Sequence, residues 1–250
     1  MADIGCDHGY VAISALKSGM AEHAIAADVA KGPLDIAAAN CRNEGVGDRT
    51  TLILSDGFKA IPDDADINCA VIAGMGGLLM ERILREAGLT RFKHLKQLVL
   101  SPQSDLDAVR RYLIDESGFV IRTEYMVLDE GKYYYIMDVR MPDDADKTGD
   151  LTGEPMHTAE TGQTRGALSE YESLSEPCHA SKYSESEYLF GRNIAPESGD
   201  IYMDFLKHRK TIVTEALGRA KLGESESARD KADKLRTELH MIEEAESKMF

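Results

Sequence analysis

This chain of 250 residues has little of what several functional classes require. Its four cysteines, Cys6, Cys41, Cys69 and Cys178, show no C-x-x-C spacing. They read as free thiols in a reducing compartment and not as a disulfide framework. The seven histidines make no metal-ligand spacing, so no metal is expected. There is no apolar run of about 18 residues or more, and no charged-then-apolar signal at the start. The expectation is a soluble, cytoplasmic protein with no membrane partner. Basic residues are also short: 29 Lys and Arg against 44 Asp and Glu leave a net charge of −15. That argues against nucleic-acid binding, in which phosphate contacts dominate the affinity.

The excess acid is uneven along the chain. Residues 1–142 carry a net −6, residues 143–200 a net −9, and residues 201–250 carry ten charges of each sign. The stretch 143–182 is rich in Asp, Glu, Ser, Thr and Gly. It cannot bury enough apolar surface to order itself and is expected to be a disordered acidic insert. Bases remain in two places: Arg82, Arg85, Arg91, Lys93 and Lys96, and then Lys207, Arg209, Lys210, Arg219 and Lys221. Each group is either a phosphate-binding patch or a solvated helix face.

What the chain does have is concentrated at its start. Ala2-Asp3-Ile4-Gly5-Cys6-Asp7-His8-Gly9-Tyr10 reads as the end of a buried strand, a tight loop and the beginning of a helix. Gly5 and Gly9 allow backbone N–H groups close to a ligand, and the helix points its positive end at the same place. The third glycine of a dinucleotide fingerprint is absent, and Asp7 would repel a pyrophosphate. A nicotinamide oxidoreductase therefore fits poorly. A ligand with a positive centre and no phosphate fits better, and S-adenosyl-L-methionine is one. The plain alternative is an ordinary strand–turn–helix corner, with His8 a structural histidine.

Two more acids extend the pattern. Asp28 ends the apolar run Ala24–Ala27 and lies 19 residues after Gly9, the spacing at which an acid takes ribose hydroxyls. Val29 follows it in the same candidate site. The other role open to Asp28 is to cap the helix beginning near Gly32-Pro33. Asp56 and Gly57 end the strand Thr51–Leu54, where an acid can accept from an adenine amine and a glycine can relieve crowding against the ring; a surface turn is the alternative.

Further strands follow at Cys69–Ala73 and Leu98–Leu100, each succeeded by a helical pattern, so the sheet is parallel to that point. The strands Phe119–Leu128 and Tyr133–Met141 are separated only by Asp129-Glu130-Gly131-Lys132, which requires an antiparallel hairpin. The fold class is α/β: a Rossmann-like class I methyltransferase sheet closed by an antiparallel hairpin. The last fifty residues carry two helical patterns, Ile201, Phe205, Ile212, Ala216, Ala220 and then Ala228, Ala232, Leu235, Leu239, Ile242, Met249, broken at Gly223. They predict a helical hairpin, coiled-coil-like, able to dock RNA, to dimerise or to cover the main domain. Oligomeric state is not legible.

The runs 2–10, Val71–Gly77, Leu98–Gln103, Glu130–Tyr134 and Glu187–Gly191 resemble the bacterial tRNA (adenine(22)-N1)-methyltransferase family. The resemblance covers roughly 2–141 and 183–222 and is most specific at Gly74-Met75-Gly76-Gly77. It implies a methyltransferase domain over 1–142, the insert at 143–182, and a small helical domain over 183–250. It implies S-adenosyl-L-methionine as cofactor, held around Gly5, Asp7, Gly9, Asp28, Asp56 and Gly74, with Cys6, Val29 and Gly57 beside them, and tRNA as partner. Family members have a helix before the first strand; here Met1 nearly abuts the loop, so that helix is expected to be missing.

The fourth-strand loop lacks the acid-Pro-Pro-aromatic motif that would grip an exocyclic amine, which agrees with methyl transfer to a ring nitrogen. Catalysis would then be mostly positioning, with Met75 and Gln103 against the base and Tyr10 as a wall. Two other classes remain open: a small-molecule or protein methyltransferase of the same fold, and a non-catalytic binding module.

Overall fold

A computed structural model describes residues 1–141, 182–221 and 225–249. The expected insert lies outside these residues except for Lys182. The first half alternates strand and helix: β1 (Ala2–Ile4), α1 (Tyr10–Ser18), β2 (Ala24–Asp28), α2 (Lys31–Asn43), β3 (Thr50–Leu54), β4 (Cys69–Met75), α3 (Gly77–Glu86), β5 (Gln97–Pro102) and α4 (Leu106–Arg111). A wider turn, Tyr112–Ser117, continues α4 to Gly118. Then come β6 (Val120–Asp129), β7 (Lys132–Arg140), α5 (Glu185–Phe190), α6 (Gly199–Ala220) and α7 (Glu226–Ser247).

The strands form one sheet in the order β3-β2-β1-β4-β5-β7-β6. β1 lies between β2 and β4 and is parallel to both, with Ala2 opposite Ile25 and Ala70 and Ile4 opposite Ala27 and Ile72. A strand covered on both faces is mostly apolar, and all three residues of β1 are buried, the acid Asp3 among them. β3 is the edge strand; threonines begin it and much of it is exposed. β6 and β7 are joined by Glu130 and Gly131 alone, at φ +46° and +76°. Two successive left-handed residues give the hairpin turn whose twist matches that of the strands it joins.

The described residues group into two compact units. One takes in Met1–Ile72, Arg82–Leu98, Arg140, Met141 and Lys182, the other Ala73–Glu81, Val99–Val139 and the described residues from Tyr183 onward. In the first unit, α1 and α2 close over β1 and β2. Ala12, Ile13 and Leu16 meet Leu34, Ala37 and Cys41 around Ala24 and Ala26. α1 is bounded by glycines in the left-handed region, Gly9 and Gly19.

In the second unit, α6 and α7 form the expected helical hairpin. Tyr202, Leu206 and Val213 of α6 share a core with Met126, Tyr135, Phe190, Ile242 and Ala245. The most buried stripe of α6 is therefore one residue on from the sequence reading; of the expected residues Ala220 is buried, Ile201 and Phe205 pack partly buried against the same core, and Ile212 is exposed. Both stripes recur at threes and fours, and only the surface that α6 covers distinguishes them. Arg110 is fully buried in this unit and bonds Glu124 through Nε (2.9 Å) and Nη2 (2.7 Å). Its Nη1 donates to the carbonyls of Tyr188 (2.8 Å) and Leu189 (3.0 Å). The segment after α5 lies along β6, with Glu124 N donating to Asn193 O and Ala195 N to Glu124 O, both at 2.8 Å.

Candidate functional site

The loop from Gly5 to Gly9 leaves β1 and turns into α1. Gly5 and Gly9 sit at φ +74° and +76°, and Asp7 also enters the left-handed region at +49°. At Gly9 a Cβ would meet that of Ala37 at 3.1 Å, so α2 can lie this close only against glycine.

Four of the five backbone N–H groups of this loop, those of Gly5, Cys6, Asp7 and Gly9, are spent inside the fold. Gly5 and Cys6 donate to Ala27 O (2.8 and 3.0 Å), and Gly9 donates to Cys6 O (2.7 Å). Asp7 N donates to Asp28 Oδ2 (3.2 Å). This differs from the sequence reading, which offered those groups to a ligand. The difference strengthens the charge argument: a loop that keeps its donors and carries carboxylates suits a cationic ligand better than a phosphate.

Asp28, half-buried at the end of β2, accepts from Asp7 N through one oxygen and from Ala30 N (2.9 Å) through the other. Ala30, not Asp28, is the N-cap of α2, so Asp28 bonds the residue that precedes the helix without capping it. Each carboxylate oxygen has a second lone pair, and room to accept remains. Val29 beside it is 70% exposed, and Tyr10 is 67% exposed with its ring 5.8 Å from that of His8.

Asp3 is the acid whose environment sequence alone did not reveal. It is buried in β1 and accepts from Ala12 N at 3.2 Å. Burial pushes its carboxyl up to about 6; the Ala12 N–H opposes the shift and the Asp28 charge adds to it. The signal was there in part: an acid inside an otherwise apolar strand has to serve something. Cys6 is buried as well, and its thiol is pushed up to about 12, first by burial and then by Asp3 and Asp28. It stays protonated and is no nucleophile.

Asp56 is held from the side of α3. Arg82 donates to both of its oxygens (3.0 and 3.2 Å) and Lys59 Nζ to one (2.7 Å). Arg82, and then Lys59, hold its carboxyl well below the usual carboxylate range. Glu86 completes the group through Lys59 (2.8 Å) and Arg82 (3.1 Å). Gly57 has a packing reason of its own: a Cβ there would meet Ile83 Cγ2 at 2.9 Å.

The remaining predicted residues belong to the second unit. Gly74 sits at φ +77° with open space where a Cβ would be. Met75 and Gln103 are brought together, Gln103 N donating to Met75 O at 2.9 Å. Gly77 N donates to Ser104 O at 2.9 Å, and a Cβ on Gly77 would fall on the carbonyl oxygens of Ser104 and Asp105. Gly77 is therefore a steric requirement of two backbones crossing, whereas Gly74 is favoured by its positive φ. Among the described residues, no group of three metal-ligating side chains occurs and no helix is long and apolar enough to cross a membrane.

A parallel α/β sheet closed by an antiparallel hairpin, with acids in or after β1, β2 and β3, defines a class I methyltransferase fold. Residues 1–160 match the family model TrmK, tRNA (adenine(22)-N(1))-methyltransferase, and the chain belongs to that family. It is 34% identical over 140 residues to a candidate tRNA methyltransferase of Mycoplasma pneumoniae, covering 55% of this chain and 61% of that one. To the tRNA (adenine(22)-N(1))-methyltransferase of Bacillus subtilis it is 31% identical over 137 residues, covering 55% of this chain and 56% of that one. These matches thus span only somewhat more than half the length of the curated relatives. A Streptococcus pneumoniae structure, described as a candidate tRNA (m1A22) methyltransferase in complex with S-adenosyl-L-methionine, is 26% identical. It superposes with TM-score 0.67 over 96% of this chain and 91% of that one.

Proposed function

We propose that this chain is a cytoplasmic enzyme that methylates N1 of an adenine in tRNA, at position 22 by family membership, using S-adenosyl-L-methionine. The observation that carries the reading is the Gly5–Gly9 loop. Most of its donors are used internally, while Asp3, Asp7 and Asp28 cluster around it, a set of carboxylate acceptors that fits an ammonium and a sulfonium.

In this reading Gly5, Cys6, Asp7, Gly9 and Gly74 line the cofactor cradle by their backbone. Asp28 accepts from the ribose hydroxyls, and exposed Val29 gives the adenine ring an apolar face. Asp56 accepts from the adenine amine with the lone pairs that Arg82 and Lys59 leave free. The cofactor, when bound, supplies a methyl group on positively charged sulfur.

Adenine N1 is neutral and already has its lone pair, so no general base is required. The chain's task is to align N1 and to tolerate the positive charge that develops on the ring. Met75, Gln103 and Tyr10 are the residues we assign to holding the base.

The tRNA partner needs bases, and the second unit offers fewer than the sequence suggested. Arg209 pairs with Glu238 at 2.5 Å, and Lys210 with Glu246 (2.8 Å) and Glu243 (3.5 Å). Exposed Lys207 lines a shallow groove on α6 with Lys210, Thr211, Thr214 and Glu215. These pairings and the net charge of −15 favour the second reading, a methyltransferase for a small molecule or a protein.

The test is transfer of labelled methyl to total bacterial tRNA, followed by nuclease digestion and nucleoside chromatography. Label in N1-methyladenosine supports the first reading. Transfer to a protein or small molecule, with none to tRNA, selects the second.

A further inference from the structure

The amphipathic pattern of α3 fails in its first turn. Met80, Ile83 and Leu84 are buried, as a helix against a sheet requires, but Leu78 is 60% exposed and Leu79 is 44% exposed. A single exposed leucine is ordinary on a protein surface and needs no explanation by itself. Leu78 differs in its mount. It directly follows Gly74-Met75-Gly76-Gly77, and the chain there is fixed by two backbone bonds, Gly77 N to Ser104 O and Gln103 N to Met75 O, both 2.9 Å. Gly77 lies so close to the Ser104 and Asp105 carbonyls that no Cβ fits between them. A large apolar side chain is thus held out in solvent, three residues from Met75, on a turn pinned by those two backbone bonds.

Resting on the tRNA reading above, we infer that Leu78 is a positioning residue, the apolar wedge that fills the space left when the target adenine is drawn out of its stack. N1 lies on the Watson–Crick edge, so in a paired arm it is hidden until the nucleotide swings out. Unstacking a base costs a few kcal/mol, and proteins that deform nucleic acids offset it by inserting Leu, Ile, Met or Phe beside the vacated step. A wedge of this kind must be apolar, exposed before binding, rigidly mounted and next to the residues that hold the extruded base. Leu78 is apolar, exposed, mounted on a fixed turn and three residues on from Met75, one of the residues assigned above to the base; its exposure in the free protein is the free-energy cost of having it ready.

The experiment uses the full chain and a tRNA transcript carrying 2-aminopurine at the target position, which brightens on leaving the stack. The wild-type protein is expected to raise the fluorescence. Leu78→Ala removes an exposed side chain, so its thermal stability and cofactor affinity should match wild type. Its fluorescence rise should fall at least about fivefold, and kcat/KM on an unlabelled transcript at least about tenfold, as for loss of an intercalating wedge. A transcript whose target adenine faces an abasic site needs less unstacking, so there the deficit should shrink to within about threefold. Leu78→Met should keep most of the activity. If Leu78→Ala gives the full fluorescence rise and full methyl transfer while the wild type methylates tRNA, the wedge is wrong and the tRNA reading stands. If the wild type neither brightens nor methylates the transcript, the tRNA reading falls and the wedge with it.

Discussion

Replacing Arg110 by Ala should be among the most damaging single changes outside the candidate site. Both side chains of the Arg110–Glu124 pair are wholly inaccessible to solvent. Burial alone would lower the Arg110 pKa, but the adjacent Glu124 carboxylate more than reverses this, and the pKa lies above its ordinary value. Removing the guanidinium takes both charged donors from one oxygen of a buried carboxylate, whose other oxygen accepts from Arg192 N (3.1 Å). It also orphans two carbonyls, those of Tyr188 and Leu189. Breaking a buried pair from one side costs about 3–5 kcal/mol. For a chain of this size each kcal/mol lowers Tm by about 2–4 °C, so a fall of about 10 °C is expected. Urea unfolding of Arg110→Ala, Glu124→Leu and the double variant completes a cycle. The double variant should be less destabilised than the two singles summed, by about 2 kcal/mol or more. A loss below about 1 kcal/mol for Arg110→Ala, or a strictly additive cycle, would refute the claim that this pair ties α4, β6 and α5 together.

Asp28→Ala should weaken S-adenosyl-L-methionine binding by about 1.5–3 kcal/mol, the range for a charged hydrogen-bond partner, and unchanged affinity by calorimetric titration would remove Asp28 from the site. Asp3 has a folded pKa of about 6 against an ordinary 3.8, so between these values the folded state holds more protons than the unfolded one. Stability should therefore fall as pH rises through that window, by up to about 3 kcal/mol, and Asp3→Asn should remove the loss. Equal slopes from pH 4 to 7 in denaturant titrations of the two cofactor-free proteins would contradict the assignment. Lys207→Ala alone should account for most of the tRNA affinity lost in a Lys207, Arg209 and Lys210 triple alanine variant, because the other two cations are already paired. Filter binding at two salt concentrations decides it: a single variant with wild-type affinity and salt slope counts against α6 as the docking face.

The order of elements was legible because local rules write it. Apolar runs such as Ala24–Ala27 and Cys69–Ala73 can only be strands covered on both sides, and each is followed by helical periodicity that forces a crossover. Asp129-Glu130-Gly131-Lys132 leaves so few residues that the last two strands must be antiparallel. The acidic loop at Gly5–Gly9 was legible as chemistry, since charge is carried by residue identity. Sequence alone thus determined the fold class, the cationic character of the expected ligand and the position of the glycine run.

What it could not supply depends on partners far away along the chain. Arg110 looks like one more charge on a helix until Glu124 and the carbonyls of Tyr188 and Leu189, more than seventy residues on, close around it. Asp56 looks free until Arg82 and Lys59 take hold of it. Gly57 and Gly77 look like loop glycines, but the atoms that exclude a Cβ belong to Ile83, Ser104 and Asp105. The two periodic stripes on α6 are equivalent by spacing, and the hairpin it covers selects Tyr202, Leu206 and Val213. Periodicity and turn chemistry act over a few residues, so one sequence window contains them. Burial, pairing and steric exclusion are properties of surroundings, and those exist only once the chain has folded.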